Sequence, residues 1–308
     1  MVRVTVKDGI VDFALNDKLF ALEADEILDP DPNPVTPKLA ATVMLVRDSK
    51  PGQTKYRIED GVFPPDFPNN QNVEVFMIRR MRTMDFAPDA VAFPGGRVDE
   101  RDANPDLPWC GPTAKEWAKL MSVSEDDARR IVVAAAREVF EESGVLLVGP
   151  NEHSIVSDLD DPWWKETREA LIAHKVAFAD VLIERNLVLR TDLLGLISNW
   201  CTPAYVSKRF DTFFFTAMVP EGQQADGNTS EAQIAGWVTP SYAVREFDED
   251  RWLLFAPTLY SLGQIAQAHS AEELIETRRK VQKITQAPVF NEDGSVVMRA
   301  QVDATREF

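Results

Sequence analysis

The segment from Ser124 to Gly144 limits what this chain can fold into more than any other stretch. It opens Ser124-Glu125-Asp126-Asp127, runs through small and apolar residues, and ends Arg137-Glu138-Val139-Phe140-Glu141-Glu142-Ser143-Gly144. Ser124 suits an N-cap, and the acids after it suit the positive end of a helix dipole. Gly144 stands where a left-handed C-terminal cap belongs. A helix over 125–143 is therefore expected. At about 100° per residue, Glu142 falls about 40° from Glu138, and Glu141 about 60° to its other side. Three carboxylates thus share one face. Ala128, Val132, Ala135 and Val139 form the adjacent face, which should pack on a sheet.

Like charges at i,i+4 repel by roughly a few tenths of a kcal/mol per pair. These acids also sit at the C-terminal end, where the dipole disfavours them. Arg137, four residues before Glu141, offsets part of the repulsion, and a divalent cation would offset more. Glu138 and Glu142 lie about 6 Å apart along the axis and can converge on a hard cation. Magnesium fits because it takes few carboxylates, keeps waters and binds phosphate oxygens; manganese is the alternative. The bland alternative is a solvated acidic face. The adjoining apolar face and the upstream Gly95-Gly96 turn speak against it, since backbone at glycine can approach a ligand closely.

Around this helix the pattern is mixed. Val2, Val4 and Val6 alternate, Asp8-Gly9 turns the chain and Ile10–Phe13 returns, a hairpin within residues 1–15. Residues 28–38 hold Pro30, Pro32, Pro34 and Pro37 and read as a linker. Strands are expected at Ala40–Arg47, Val73–Ile78, Val91–Phe93, Val145–Val148, Phe210–Val219 and Ile234–Val238, with a polar loop over 48–72. Residues 103–123, with Pro105, Pro108, Gly111 and Pro112, read as irregular. Helical stretches are expected over 161–186 and much of 240–280, and a second hairpin over 286–300 about Asp293-Gly294. The fold class is α/β (α+β), a mixed sheet sandwiched between helices. The expected division is an N-terminal hairpin and linker (1–37), a main domain (38–240) and a C-terminal helical extension with its hairpin (241–308). The terminal hairpins offer edges for a homodimer.

Composition narrows the class of partner. With 50 acidic against 33 basic side chains, the net charge of −17 disfavours nucleic acid. Cys110 and Cys201 form no CxxC pair, and His153, His174 and His269 are scattered, so neither a zinc site nor a disulfide framework is expected. No membrane span or signal segment is expected, and a cytoplasmic setting follows.

Arg137-Glu138-x-x-Glu141-Glu142-x-Gly144 resembles the second half of the Nudix box, and Phe93-Pro94-Gly95-Gly96 the entry to its first half. The family places five residues between that glycine and the first acid, which points to Asp102, with Glu100 as the alternative. Between Asp102 and Arg137 lie 34 residues where the family has seven, an insertion of about 27. An interrupted box is similar to that of the coenzyme A diphosphatase branch. So are Arg137–Leu147, Asn199-Trp200-x-Thr202-Pro203 and Arg209-Phe210-Asp211-Thr212-x-Phe214.

The resemblance implies metal-dependent attack of water on a nucleoside diphosphate derivative. Coenzyme A or acyl-coenzyme A leads, yielding 3′,5′-ADP and (acyl-)phosphopantetheine. ADP-ribose, NAD(H) or a related nucleotide is the alternative, and a non-catalytic nucleotide-binding domain is the reading from another class. It further implies that Glu138 and Glu142, with Glu141 as third, hold the metal. The carbonyl of Gly95 or Gly96 would assist, and Arg137 would orient a carboxylate. Glu231, just before the Ile234–Val238 strand, is the candidate general base. Arg79, Arg80, Arg82, Lys208 and Arg209 are candidates for phosphate groups, Arg209 also for a pair with Asp211. The tryptophans are candidates for adenine stacking or for core packing.

Overall fold

The structure is a computed structural model and describes residues 4–14, 27, 33–49, 72–81, 89–227, 232–293 and 295–302. The N-terminal hairpin forms as expected, β1 (Val4–Lys7) against β2 (Ile10–Ala14). Asp8 and Gly9 both turn at positive φ, 52° and 77°, the conformation for which Asp-Gly is favoured between antiparallel strands. Next come β3 (Lys38–Asp48), β4 (Val73–Arg80), β5 (Val91–Ala92), β6 (Gly95–Arg97) and β7 (Trp109–Cys110). Helices α1 (Ala114–Met121) and α2 (Glu125–Ser143) lead to β8 (Val148–Gly149). Helices α3 (Pro162–Ile172) and α4 (Phe178–Glu184) precede β9 (Val188–Arg190), β10 (Gly195–Cys201), β11 (Phe210–Met218) and β12 (Ala232–Val238). The described chain closes with α5 (Pro240–Asp248), α6 (Ala256–Gln267), α7 (Ala271–Glu276), β13 (Lys283–Thr285), β14 (Ala287–Phe290) and β15 (Val296–Gln301).

The central sheet runs β12-β4-β3-β11-β10-β13, with β5 on β4 and β6 on β3. Strands β3 and β11 are parallel, whereas β3–β4, β10–β11 and β12–β4 are antiparallel. Side chains alternate across it, as a two-residue period requires. Ala41, Val43 and Leu45 of β3 and Phe213, Phe215 and Ala217 of β11 pack with Ala128, Val132, Ala135 and Val139 of α2, the face assigned from the sequence. Met44, Val46 and Phe214 point the other way, to α5 and α6. The outer side of α2 is also covered: Val133, Ala136 and Phe140 pack with Leu171 of α3 and Phe178 and Leu182 of α4. The helix carrying the acids is therefore sandwiched, with one strip left for its carboxylates.

Three expectations need correction. Residues 103–123 are not irregular throughout, because α1 occupies Ala114–Met121. Its start is a reciprocal cap, Thr113 with Glu116, and it buries Trp117, whose ring meets Phe215 edge-on at 5.9 Å. The run Val145–Val148 is buried but pairs as a strand only at Val148–Gly149. At Leu146 the Gln223 side chain supplies both halves of a strand partner: Leu146 N–H donates to its Oε1 (2.8 Å), and its Nε2 donates to Leu146 C=O (2.9 Å). Residues 161–186 form two helices, interrupted where His174 takes φ 54°.

The two terminal hairpins are neighbours. β2 pairs with β15, giving one sheet ordered β1-β2-β15-β14, so the outer edges are β1 and β14. Val11, Phe13, Met298 and Ala300 share the core with α5 and α6. Among the described residues no helix is long and apolar enough to cross a membrane.

Candidate functional site

Helix α2 is built as its sequence dictates. Ser124 caps the Asp127 N–H, and Gly144 ends the helix at φ 72°. Near that end Arg137, 6% exposed, is the hub of the acids. Its Nε donates to Asp102 Oδ1 (3.0 Å) and Nη2 to Asp102 Oδ2 (3.0 Å), a two-pronged pair. Nη1 donates to Glu138 Oε1 (2.8 Å) and Glu141 Oε2 (3.2 Å), and Nη2 also to the Arg97 carbonyl (2.9 Å). Asp102 is 2% exposed, and a short 3₁₀ turn, Glu100–Ala103, holds it in place. Asp102 Oδ2 accepts the Asp99 N–H (2.8 Å), while Asp99 caps the turn in return. Glu100 is exposed. Of the two acids left open by the sequence, Asp102 is the one brought to the helix.

β6 lays Gly95 and Gly96 over the carboxylates. Gly95 N–H donates to Glu142 Oε2 at 2.7 Å. A Cβ on Gly96 would lie 2.6 Å from Glu138 Oε1, and one on Gly95 2.5 Å from the Ala41 carbonyl. Side chains at either position would expel the carboxylate or push the strand away, so glycine is required here by contact.

Asp102, Glu138, Glu141 and Glu142 are all buried, and Arg137 pairs with the first three. One Glu141 oxygen, Oε1, is buried with no hydrogen-bond partner. As the side chains stand, no group of three or more acidic, histidine or cysteine ligands is gathered for a metal among the described residues. Asp102, Glu138 and Glu141 are drawn toward Arg137 instead. The excess of buried acid, the unspent Glu141 oxygen and the glycine cradle fit a hard divalent cation among Glu138, Glu141 and Glu142, reached by side-chain rotation.

Burial pushes the Glu138 carboxyl up to about 8, against the pull of Arg137, and burial raises Glu141 too. Below its ordinary value of 4.5, Glu138 is protonated whether the chain is folded or not. Above that value the unfolded chain ionises while the folded chain still holds its proton, so stability falls from about 4.5 upward and the loss is complete once pH has risen through about 8. Metal-free protein is therefore expected to lose stability across this window relative to Glu138→Gln, and saturating magnesium should cancel the difference. Thermal unfolding against pH checks this; parallel curves for parent and variant without metal would refute it.

The remaining candidates are placed less centrally. Arg79 is held by Asp89 at 2.8 Å. Arg209 donates to the carbonyls of Thr202 (3.1 Å) and Val35 (2.8 Å), a clamp between backbone segments. Asp211 is taken by Lys283 (2.6 Å) and Asn199 (2.7 Å), so the Arg209–Asp211 pair is replaced by these. Lys208 is exposed. Arg80 keeps a buried Nε with no hydrogen-bond partner. Arg82 and Glu231 lie outside the described residues. Each tryptophan has an aromatic or arginine neighbour, among them Trp200 on Phe13 and Tyr260, and Trp163 beneath Arg185 at 3.6 Å.

Sequence reasoning missed three contributors: Asp99, Arg168 and Asp226. Asp99 and Asp102 form a short acid–acid capping box that a search for 3₁₀ starts could have found. Arg168 and Asp226 carry no local signal.

A Gly-Gly pair, expected as a turn but carried in strand β6, a buried arginine–acid hub and a sandwiched helix define the class. A family model described as the NUDT19 Nudix domain matches residues 111–265, just over half of the 308 residues. The chain belongs to the Nudix hydrolase family, in the branch that this domain describes. Among its relatives is the acyl-coenzyme A diphosphatase NUDT19 of Xenopus laevis, 29% identical over 213 residues, or 58% of this chain and 56% of that one. A putative nudix hydrolase 7 of Caenorhabditis elegans is 28% identical over 193 residues, covering 63% of this chain and 56% of that one. The chain thus spans little more than half the length of these relatives. A crystal structure of a NUDIX hydrolase from Alicyclobacillus acidocaldarius superposes with a TM-score of 0.61 at 25% identity, covering 80% of this chain and 98% of that one.

Proposed function

We propose that this protein hydrolyses the diphosphate linkage of coenzyme A or acyl-coenzyme A in the presence of magnesium. The observation that carries the hydrolase reading is the buried acid cluster around Arg137 under the Gly95-Gly96 cradle. The substrate reading is supported by the interrupted box and by the acyl-coenzyme A diphosphatase among the relatives. Glu138 and Glu142, with Glu141 and the Gly96 carbonyl, are the groups that would hold the cation. Bound there, magnesium would neutralise the diphosphate and make a water acidic enough to act as nucleophile.

The chain's own residues do the rest. Arg137 pairs with Glu138, Glu141 and Asp102 and keeps the glutamates beside the cradle, from which they would rotate onto the cation. Gly95 N–H holds Glu142 from the opposite side. Arg79, Arg82 and Arg209, with Arg80 next to Arg79 on β4, are proposed for substrate phosphates, for which Arg79 and Arg209 would exchange their present protein partners. Glu231 remains the proposed base that takes the proton of the attacking water.

A substrate panel with magnesium tests the reading by product analysis. Release of 3′,5′-ADP from coenzyme A species, at a kcat/KM at least about tenfold above that for ADP-ribose or NAD(H), is expected. Turnover of ADP-ribose without turnover of any coenzyme A species would overturn it.

A further inference from the structure

The last four carbonyls of any α-helix lack partners within it. In α2 two of them, Glu141 and Ser143, are met from outside the box. Arg168 of α3, buried at 9% exposure, donates from Nε to the Glu141 carbonyl at 3.0 Å. Its Nη1 reaches both carboxylate oxygens of Asp226, at 2.8 and 3.0 Å. The Asp226 N–H in turn donates to the Ser143 carbonyl at 2.8 Å. Three segments meet at this point: the end of the acid-bearing helix, α3, and the loop that runs on toward Glu231 and β12. Gly144 lies beneath the pair. A Cβ there would stand 2.9 Å from Arg168 Nη1 and 3.1 Å from Asp226 Oδ2, so the box glycine leaves room for the latch as well as supplying the turn.

We infer that Arg168 is a positioning residue: with Asp226 it sets the final turn of α2, and so Glu141 and Glu142, against the loop that carries Asp226. A guanidinium suits the place. It is planar, donates in two directions at once, and brings positive charge to the negative end of the dipole beside a run of acids. The exposed half of the pair, Asp226, makes it a weak source of stability. Its effect should therefore appear as geometry. The inference rests on the proposed reading insofar as Glu141 and Glu142 perform chemistry.

Arg168→Gln, Asp226→Asn, their double variant and Arg168→Lys test it by two independent readouts. In hydrogen exchange the Gly144 and Asp226 amides should open at least about tenfold faster in Arg168→Gln, with the Ala135 amide unchanged. With the best substrate of the panel, kcat should fall about 10–100-fold while KM stays within about threefold. The double variant should be no slower than the worse single one, and Arg168→Lys should recover part of kcat because it keeps the charge on Asp226. Unchanged exchange at Gly144 and Asp226 would overturn the inference whatever the substrate. So would an unchanged kcat per folded molecule, or losses that add in the double variant. Failure of coenzyme A species alone in the panel would sink the substrate reading and leave the exchange result standing.

Discussion

Glu142→Gln is expected to lower kcat by roughly three orders of magnitude, about 4 kcal/mol, with the fold intact. The amide keeps an oxygen to accept the Gly95 N–H, now at 2.7 Å, so β6 should stay on the helix. What it loses is the negative charge, the one property a cation needs from this position. Circular dichroism should be unchanged, the melting temperature should move by no more than about 3 °C, and magnesium affinity measured by calorimetry should drop. A variant that binds metal and turns over substrate like the parent would remove Glu142 from the assigned chemistry. Because Glu142 is held from β6 while Glu138 and Glu141 are held by Arg137, the variant also leaves the arginine hub undisturbed.

Arg137→Ala is expected to act on stability first. The side chain is 7% exposed and partners Asp102, Glu138 and Glu141, themselves 2–10% exposed. Removing it leaves the buried Asp102 carboxylate without its counter-charge and pushes Glu138 and Glu141 further toward their protonated forms. A loss of about 3–5 kcal/mol is expected near neutral pH, read from urea unfolding. Magnesium should return part of it by supplying the missing positive charge, an effect that grows with metal concentration. Arg137→Lys should fall between the two, since an ammonium cannot span Asp102 in two places while also reaching the helix acids. A loss under about 1 kcal/mol for the alanine variant would mean that the hub contributes no more than an exposed ion pair.

The features that could be read from the sequence are those whose cause is local. Helix α2 could be read from its caps, and its packing face from residues three and four apart, because both depend on contacts within a few turns. Strands β3 and β11 were equally legible, as apolar runs. Strand β10 was not, since Gly195, Ser198 and Asn199 interrupt its apolar residues although all seven are buried. Helix α1 was hidden by Pro105, Pro108, Gly111 and Pro112 just ahead of it, although Thr113 and Glu116 mark its start. At the site, the acids of α2 were set by helical spacing, and counting from Gly96 narrowed the first acid to Asp102 or Glu100 without choosing between them. The phosphate cations were harder. A sequence shows the charge of Arg79 or Arg209 but not the Asp89 or Val35 atoms that occupy it. Arg168 was beyond reach for the same reason, its partners Glu141 and Asp226 lying 27 and 58 residues away.

The shared terminal sheet has a consequence for how the molecule is made. Arg299 of β15 grips Asp12 of β2 across 287 residues of chain. At about 5–20 residues per second, a ribosome needs roughly 15–60 s to deliver that partner. During this interval the nascent β1–β2 hairpin is a pair of strands too small to be stable in water, with Val11 and Phe13 still to be covered. The sheet around α2 can be complete before then. The Nudix core would therefore be assembled while the β1–β2 hairpin waits, and the stitch between them would be drawn only when β15 emerges.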